Sequence, residues 1–70
     1  MPYRRNSDLP DSVRNHLPEH AQDIFRAAFN AAWGGHIGDP RQEEAAHRIA
    51  WAAVKHRYRK DGDRWVPTGD

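Results

Sequence analysis

The stretch that decides the fold is Pro18-Glu19-His20-Ala21-Gln22-Asp23-Ile24-Phe25-Arg26-Ala27-Ala28-Phe29-Asn30-Ala31-Ala32-Trp33, followed by Gly34-Gly35. Ala21, Ile24, Phe25, Ala28, Phe29 and Ala32 recur at three- and four-residue steps, which makes one apolar stripe along an α-helix. Gln22, Asp23, Arg26 and Asn30 fall on the other side. Proline suits a helix start and Glu19 complements the positive end of the helix dipole. Glycine readily takes the left-handed conformation that ends helices, so the pattern predicts a helix from Pro18 to about Trp33, stopped by Gly34-Gly35.

Working outward toward the C-terminus, His36-Ile37-Gly38 reads as a brief loop. Asp39-Pro40-Arg41-Gln42 reads as a cap, a first-turn proline and a capping-box partner. These signals predict a third helix from Pro40 to about Arg59. At 100° per residue its apolar members (Ala45, Ala46, Ile49, Ala50, Trp51, Ala53, Val54, Tyr58) cover about two-thirds of the circumference. So wide an apolar face predicts that this helix is the central one. Beyond it, Asp61-Gly62 marks a turn and Arg64-Trp65-Val66 an extended segment ended by Pro67. Pro2-Tyr3-Arg4 is the matching short extended segment, so the two termini are expected to pair. Toward the N-terminus, Asp8 or Ser7 caps a short helix from about Pro10 to Asn15, which stops before Pro18 because the residue ahead of proline avoids helical geometry. The expectation is a mainly α, three-helix domain, one helix short and two long, with a two-stranded β element joining the N- and C-terminal segments.

Composition narrows the function classes. The chain has 70 residues, which is room for one domain. Cysteine is absent, so neither disulfides nor a thiolate zinc site supports the fold. No run approaches the roughly 20 apolar residues of a membrane span, and the first 20 residues lack a signal-peptide core, which makes cytoplasmic residence the expectation. Eleven basic residues face ten acidic ones, giving a formal net charge of +1 that announces no particular partner.

Several segments resemble the ChaB family of small proteins. Met1-Pro2-Tyr3, Asp8-Leu9-Pro10 and Leu17-Pro18 are similar to its opening. His20-Ala21-Gln22-Asp23-Ile24-Phe25 and Ala28-Phe29-Asn30-Ala31-Ala32-Trp33 are similar to its central helix. Ala46-His47-Arg48-Ile49-Ala50-Trp51-Ala52-Ala53-Val54-Lys55-His56-Arg57-Tyr58 resembles its signature third helix, and Trp65 its closing aromatic. The resemblance spans about residues 1–66 and implies a single ChaB-like domain over 1–70. It also implies a small, mainly helical cytoplasmic protein with a short β element and no catalytic residues. The family name implies regulation of a sodium or calcium/proton antiporter, and viral relatives imply DNA binding. The Gly34 to Asp39 loop departs from relatives that carry a longer acidic insertion there.

Few residue patterns in the chain suggest a site. Glu43 and His47 have ligand spacing on one helix, but a divalent site needs three or four ligands, and a histidine within the apolar arc reads better as a satisfied rim residue. His16 and His20 straddle Pro18. Asp61-Gly62-Asp63 lacks the closing glutamate of a calcium loop and reads as a polar turn. No ordered nucleophile–base set, phosphate loop or carboxylate pair stands out, so neither an enzyme, a cofactor, a metal nor a small-molecule substrate is expected. The distinctive surface is basic. Arg48, Lys55 and Arg59 form a stripe on the third helix, joined nearby by Lys60, Arg57 and Arg64, with Arg4 and Arg5 at the N-terminus. The bland reading of that stripe is a solvated helix face. The functional reading is an acidic partner: an acidic protein surface, a cytoplasmic loop of a membrane transporter, or DNA or RNA bound weakly. Trp33, Trp51 and Trp65 could stack on bases, but in so small a domain large aromatics read first as core.

Overall fold

The computed structural model describes residues 3–68. A 3-10 turn at Asn6–Asp8 leads into α1 (Asp11–Arg14), α2 (Glu19–Gly35) and α3 (Gln42–Arg57), and the chain closes with β1 (Tyr58–Asp61) and β2 (Arg64–Pro67). This is the mainly helical domain that the sequence pattern predicts, with one short helix, two long ones and a two-stranded sheet. The helix ends differ in instructive ways. Gly34 and Gly35 are still helical, and the left-handed turn falls at Gly38, with φ 87°. The Asp39 carboxylate accepts from the Arg41 backbone N–H at 2.8 Å, which braces the turn ahead of α3 without capping it, since Arg41 holds the N-cap position. Gln42 does not complete a capping box. Its amide donates instead to the Trp33 carbonyl at 2.8 Å, which ties the start of α3 to the end of α2.

The core lies between the two long helices and the segment before them. Phe25 and Phe29 of α2 are almost wholly buried, as are Ala46, Ala50 and Val54 of α3. Small alanines on α3 let the helix axes come close, because a methyl group adds little between two backbones. Leu9, Val13 and Leu17 are buried on α2 as well, so α2 carries partners on two sides. The central helix is therefore α2, not α3 as the breadth of its apolar face predicts. Ile49 keeps 38% of its surface exposed, and Trp51 is half-buried rather than interior. No second long helix covers that flank of α3.

The sheet corrects a further expectation. β1 pairs with β2 as an antiparallel hairpin, with Arg59 opposite Val66, Lys60 opposite Trp65 and Asp61 opposite Arg64. The two termini do not form this sheet, and Pro2 of the expected partner lies outside the described residues. Gly62 has φ 64° and Asp63 a negative φ, the pattern of a type II′ turn. A two-residue loop explains the choice. Pairing the chain ends instead would close a loop of some 60 residues, at roughly 3 kcal/mol more in closure entropy. Tyr3 finds another partner. Its N–H donates to Asn30 Oδ1 at 2.8 Å, and Asn30 Nδ2 donates back to its carbonyl at 2.8 Å. One side-chain amide thus satisfies both backbone groups that a neighbouring strand would satisfy. The Tyr3 ring then packs on Phe29, with centroids 4.8 Å apart.

Candidate functional site

Arg48 and Lys55 both project from α3 and are exposed. Seven residues apart, they share one face about 10 Å apart along the axis, on the side opposite Ala46, Ala50 and Val54. Arg59 does not extend this stripe, because α3 ends at Arg57 and Arg59 belongs to β1. Strand alternation sets Arg59 on one face of the hairpin and its neighbour Lys60 on the other, beside Trp65. Arg4 and Arg5 are exposed, on the segment held against α2. Arg26 donates to the Arg4 carbonyl at 3.2 Å, and the Asp8 N–H donates to the Arg5 carbonyl at 3.0 Å. The five basic residues therefore do not form one surface. Arg48 and Lys55 are brought together, while Arg59, Arg4 and Arg5 lie elsewhere.

A different cluster emerges beside Lys55. Ser12, His16, Trp51, Lys55, Lys60 and Trp65 line an open depression of about 300 Å³. A second, of about 390 Å³, runs between the α1–α2 turn (Asn15 to Pro18) and Asp63 to Val66. Both are lined by His16 and Trp65, so they adjoin, and the first of them is the groove beside the lysines. Its floor is aromatic: the Trp51 and Trp65 rings pack 5.6 Å apart at 36°, and Trp51 meets Phe25 edge-on at 5.3 Å. The Trp51 Nε1–H donates to His47 Nε2 at 3.0 Å, which fixes the tautomer of His47 and holds the indole in place. With Lys55 and Lys60 at its rim, the groove offers an apolar bed edged by positive charge. Trp51 and Lys55 are four apart, so half of this site is readable from helical spacing alone. Lys60, Trp65 and His16 come to it only through the hairpin register and the α1–α2 turn.

Three further histidines are engaged structurally. The imidazole Nδ1–H of His16 donates to the Ser12 carbonyl at 2.7 Å, and that of His36 to the Ala32 carbonyl at 2.9 Å. His20 Nδ1 lies 3.2 Å from the Tyr58 hydroxyl. Among the described residues no three His, Cys, Asp or Glu side chains gather where they could hold a metal ion. A further depression, about 640 Å³ along the first turns of α3, mixes Arg41 and Arg48 with Glu43 and Glu44 and so presents no net sign. Burial, with the nearby Glu43 carboxylate, raises the Tyr3 hydroxyl above its ordinary pKa. No helix among the described residues is long and apolar enough to cross a membrane.

Fold and groove together define a small helix–helix–hairpin domain whose notable chemistry lies on its surface. The ChaB family model matches residues 9–68. A curated relative from Escherichia coli (strain K12), called "Putative cation transport regulator ChaB", is 53% identical over 93% of this chain and 95% of its own length. A relative of the same name from Shigella flexneri matches to the same extent. A solved structure, "NMR solution structure of the putative cation transport regulator ChaB", is 49% identical and superposes with a TM-score of 0.84, covering 97% of this chain and 100% of that one. The chain belongs to the ChaB family.

Proposed function

We propose that this protein is a non-enzymatic cytoplasmic adaptor that regulates cation transport by binding an acidic cytoplasmic segment of a sodium or calcium/proton antiporter. One observation carries the reading: Lys55 and Lys60 stand together over a Trp51–Trp65 floor on a chain that is otherwise nearly neutral. Paired cations beside exposed aromatic surface suit a protein partner that brings carboxylates and an apolar anchor. The names of the relatives support cation transport as the setting. Everted membrane vesicles carrying the antiporter test this directly. Adding the purified protein should change the antiport rate, followed by a pH-sensitive dye, and raised salt should weaken the effect. An antiport rate indifferent to the protein at every salt concentration rejects the reading.

A second reading is favoured by the same two indole rings, since aromatic faces beside lysines also suit nucleic acid. It would use Arg48 and Lys55, with Arg59, Arg4 and Arg5 as additional phosphate contacts. Titrating labelled duplex and single-stranded DNA at two salt concentrations separates the readings. Tight binding that is lost in R48E/K55E displaces the adaptor, whereas no binding at low salt removes this alternative.

A further inference from the structure

His47 makes a hydrogen bond of a different kind from those of His16, His20 and His36. An indole N–H can only donate, so the 3.0 Å bond from Trp51 Nε1 makes His47 Nε2 an acceptor and leaves the ring proton on Nδ1. His16 and His36 are the reverse case: each meets a backbone carbonyl, to which an imidazole donates whether neutral or charged. His20 meets the Tyr58 hydroxyl, which can turn to donate or to accept. A proton added to His47 therefore fills the nitrogen that Trp51 needs, and two N–H groups then face each other. The same proton on His16, His20 or His36 leaves the partner in place. His47 is exposed, so the proton reaches it without unfolding. The indole it holds is half-buried, packs 5.6 Å from the Trp65 ring and meets Phe25 edge-on. Arg59 to Arg64 are all exposed, so Trp65 is what fastens the outer half of the hairpin to the helices.

We propose that His47 is a proton-operated latch: its neutral ring holds the Trp51 indole and, through the Trp65 contact, the hairpin, and protonation releases both. The bond is complete on the alkaline side of the ordinary histidine range, about pH 6.5, and is lost on its acid side. The groups around His47 leave it as the one that changes this bond. From α2 it meets the Phe25 ring, edge-on at 5.5 Å. Arg41, Glu43, Glu44 and Arg48 line the same depression, and the Tyr3 hydroxyl feels the charge of Glu43. Lys55, Lys60 and His16 line the groove beside Trp51 and Trp65. Carboxylates, guanidiniums, ammonium groups and phenols hold their protonation between about pH 5 and 8, while His16 titrates without losing its Ser12 bond. One neutral hydrogen bond shifts an equilibrium by about two- to tenfold. Acid therefore changes how often the indole and hairpin are docked and leaves the helices folded. The latch goes beyond the adaptor reading, because it gives the groove an ordered and a loosened form whatever partner the groove takes.

Nuclear magnetic resonance spectra of the full-length chain, recorded from about pH 8 down to about pH 5, test the latch. The Trp51 Nε1–H signal should move upfield as its bond is lost, with the midpoint shown by the His47 ring carbons. The Trp65 indole and Gly62 amide signals should follow the same midpoint, while far-ultraviolet circular dichroism stays constant. Two substitutions at this exposed position separate the forms without touching the core. H47Q, whose amide oxygen still accepts from the indole, should keep the neutral-form signals at every pH. H47A, which has no acceptor, should show the acid-form signals at every pH. H16Q should leave the transition where it is. A Trp51 Nε1–H signal that stays fixed in the wild type, or moves equally in H47Q, overturns the proposal. So does a transition that disappears in H16Q, or a Trp51 shift that Trp65 and Gly62 do not follow. Antiport plays no part in these measurements, so the adaptor reading stands or falls separately in the vesicle assay.

Discussion

At the scale of single residues, stability turns on which apolar side chains lose all contact with water. Phe25 is 0% exposed and Phe29 1%, so truncating either leaves a cavity that helix-on-helix packing cannot close. Phe25→Ala should cost about 3–5 kcal/mol, a large part of the roughly 4–10 kcal/mol available to a chain of this size. Urea unfolding followed by circular dichroism would show a matching fall in midpoint. A paired comparison sharpens the point: Leu17→Ala should cost about 2–4 kcal/mol and Ile49→Ala under about 1 kcal/mol, because Leu17 is 4% exposed and Ile49 38%. Helical spacing puts Ile49 on the apolar face of α3 and says nothing of Leu17, which lies between helices. A helical wheel shows that a flank is apolar, but not whether another element arrives to cover it. Tyr3 adds a pH signature. Its hydroxyl is raised above the ordinary value, first by burial and then by Glu43, so the fold favours the protonated form. That contribution is complete below the ordinary tyrosine pKa of about 10 and is lost as pH rises through the raised value. Wild type should therefore lose stability on alkaline titration more steeply than Tyr3→Phe, as melting temperatures across pH 9 to 12 would reveal.

At the scale of elements, the hairpin and the N-terminal clip share one logic and differ in how they read from sequence. Gly62 sits at φ 64° with open space around the position a Cβ would take. Gly62→Ala should thus cost about 1–2 kcal/mol from backbone conformation alone. Because Trp65 rests on Trp51, the loosened hairpin should show as a change in indole emission. The Asp61-Gly62 turn is legible from its dipeptide. The strand on its near side is not, because Tyr58 and Arg59 also continue the helical repeat of α3, and only the pull of the turn decides that the helix ends at Arg57. Asn30 is the converse case. Its polarity marks it as solvent-facing, yet its amide holds Tyr3 by two hydrogen bonds of 2.8 Å. Asn30→Ala should release the N-terminal segment at about 1–3 kcal/mol, with faster amide exchange at Tyr3 and little change in helix content.

At the scale of the whole molecule, the dimensions of 37 × 22 × 18 Å are those of two helical layers. A body this thin keeps almost every charged side chain at the surface and divides its cations among separate faces. Among the described residues the three ion pairs, Arg14–Asp11, Arg26–Asp23 and Arg41–Glu44, are all local on the chain and exposed enough to contribute little. Binding through Lys55 and Lys60 should therefore be indifferent to R4E/R5E. K55E/K60E and R4E/R5E share no partner, so their effects on the affinity for an acidic segment should add to within about 0.5 kcal/mol, measurable by titration calorimetry.

The sequence by itself determined the two long helices, the short one before them, the turn at Gly62 and the aromatic center at Phe25 and Phe29. Each of these rests on contacts within a few residues, where spacing and turn chemistry act without knowledge of the rest of the chain. Tertiary structure alone decided that α2 is the hub, that Asn30 rather than a strand holds Tyr3, and that Arg59 turns away while Lys60 stays beside Lys55. Those outcomes depend on which surfaces meet across long stretches of chain. There, loop closure and the burial available on each flank outweigh local pattern. The basic character of the protein was readable from its residues. The groove that gives it a shape was made by the hairpin folding back on Trp51.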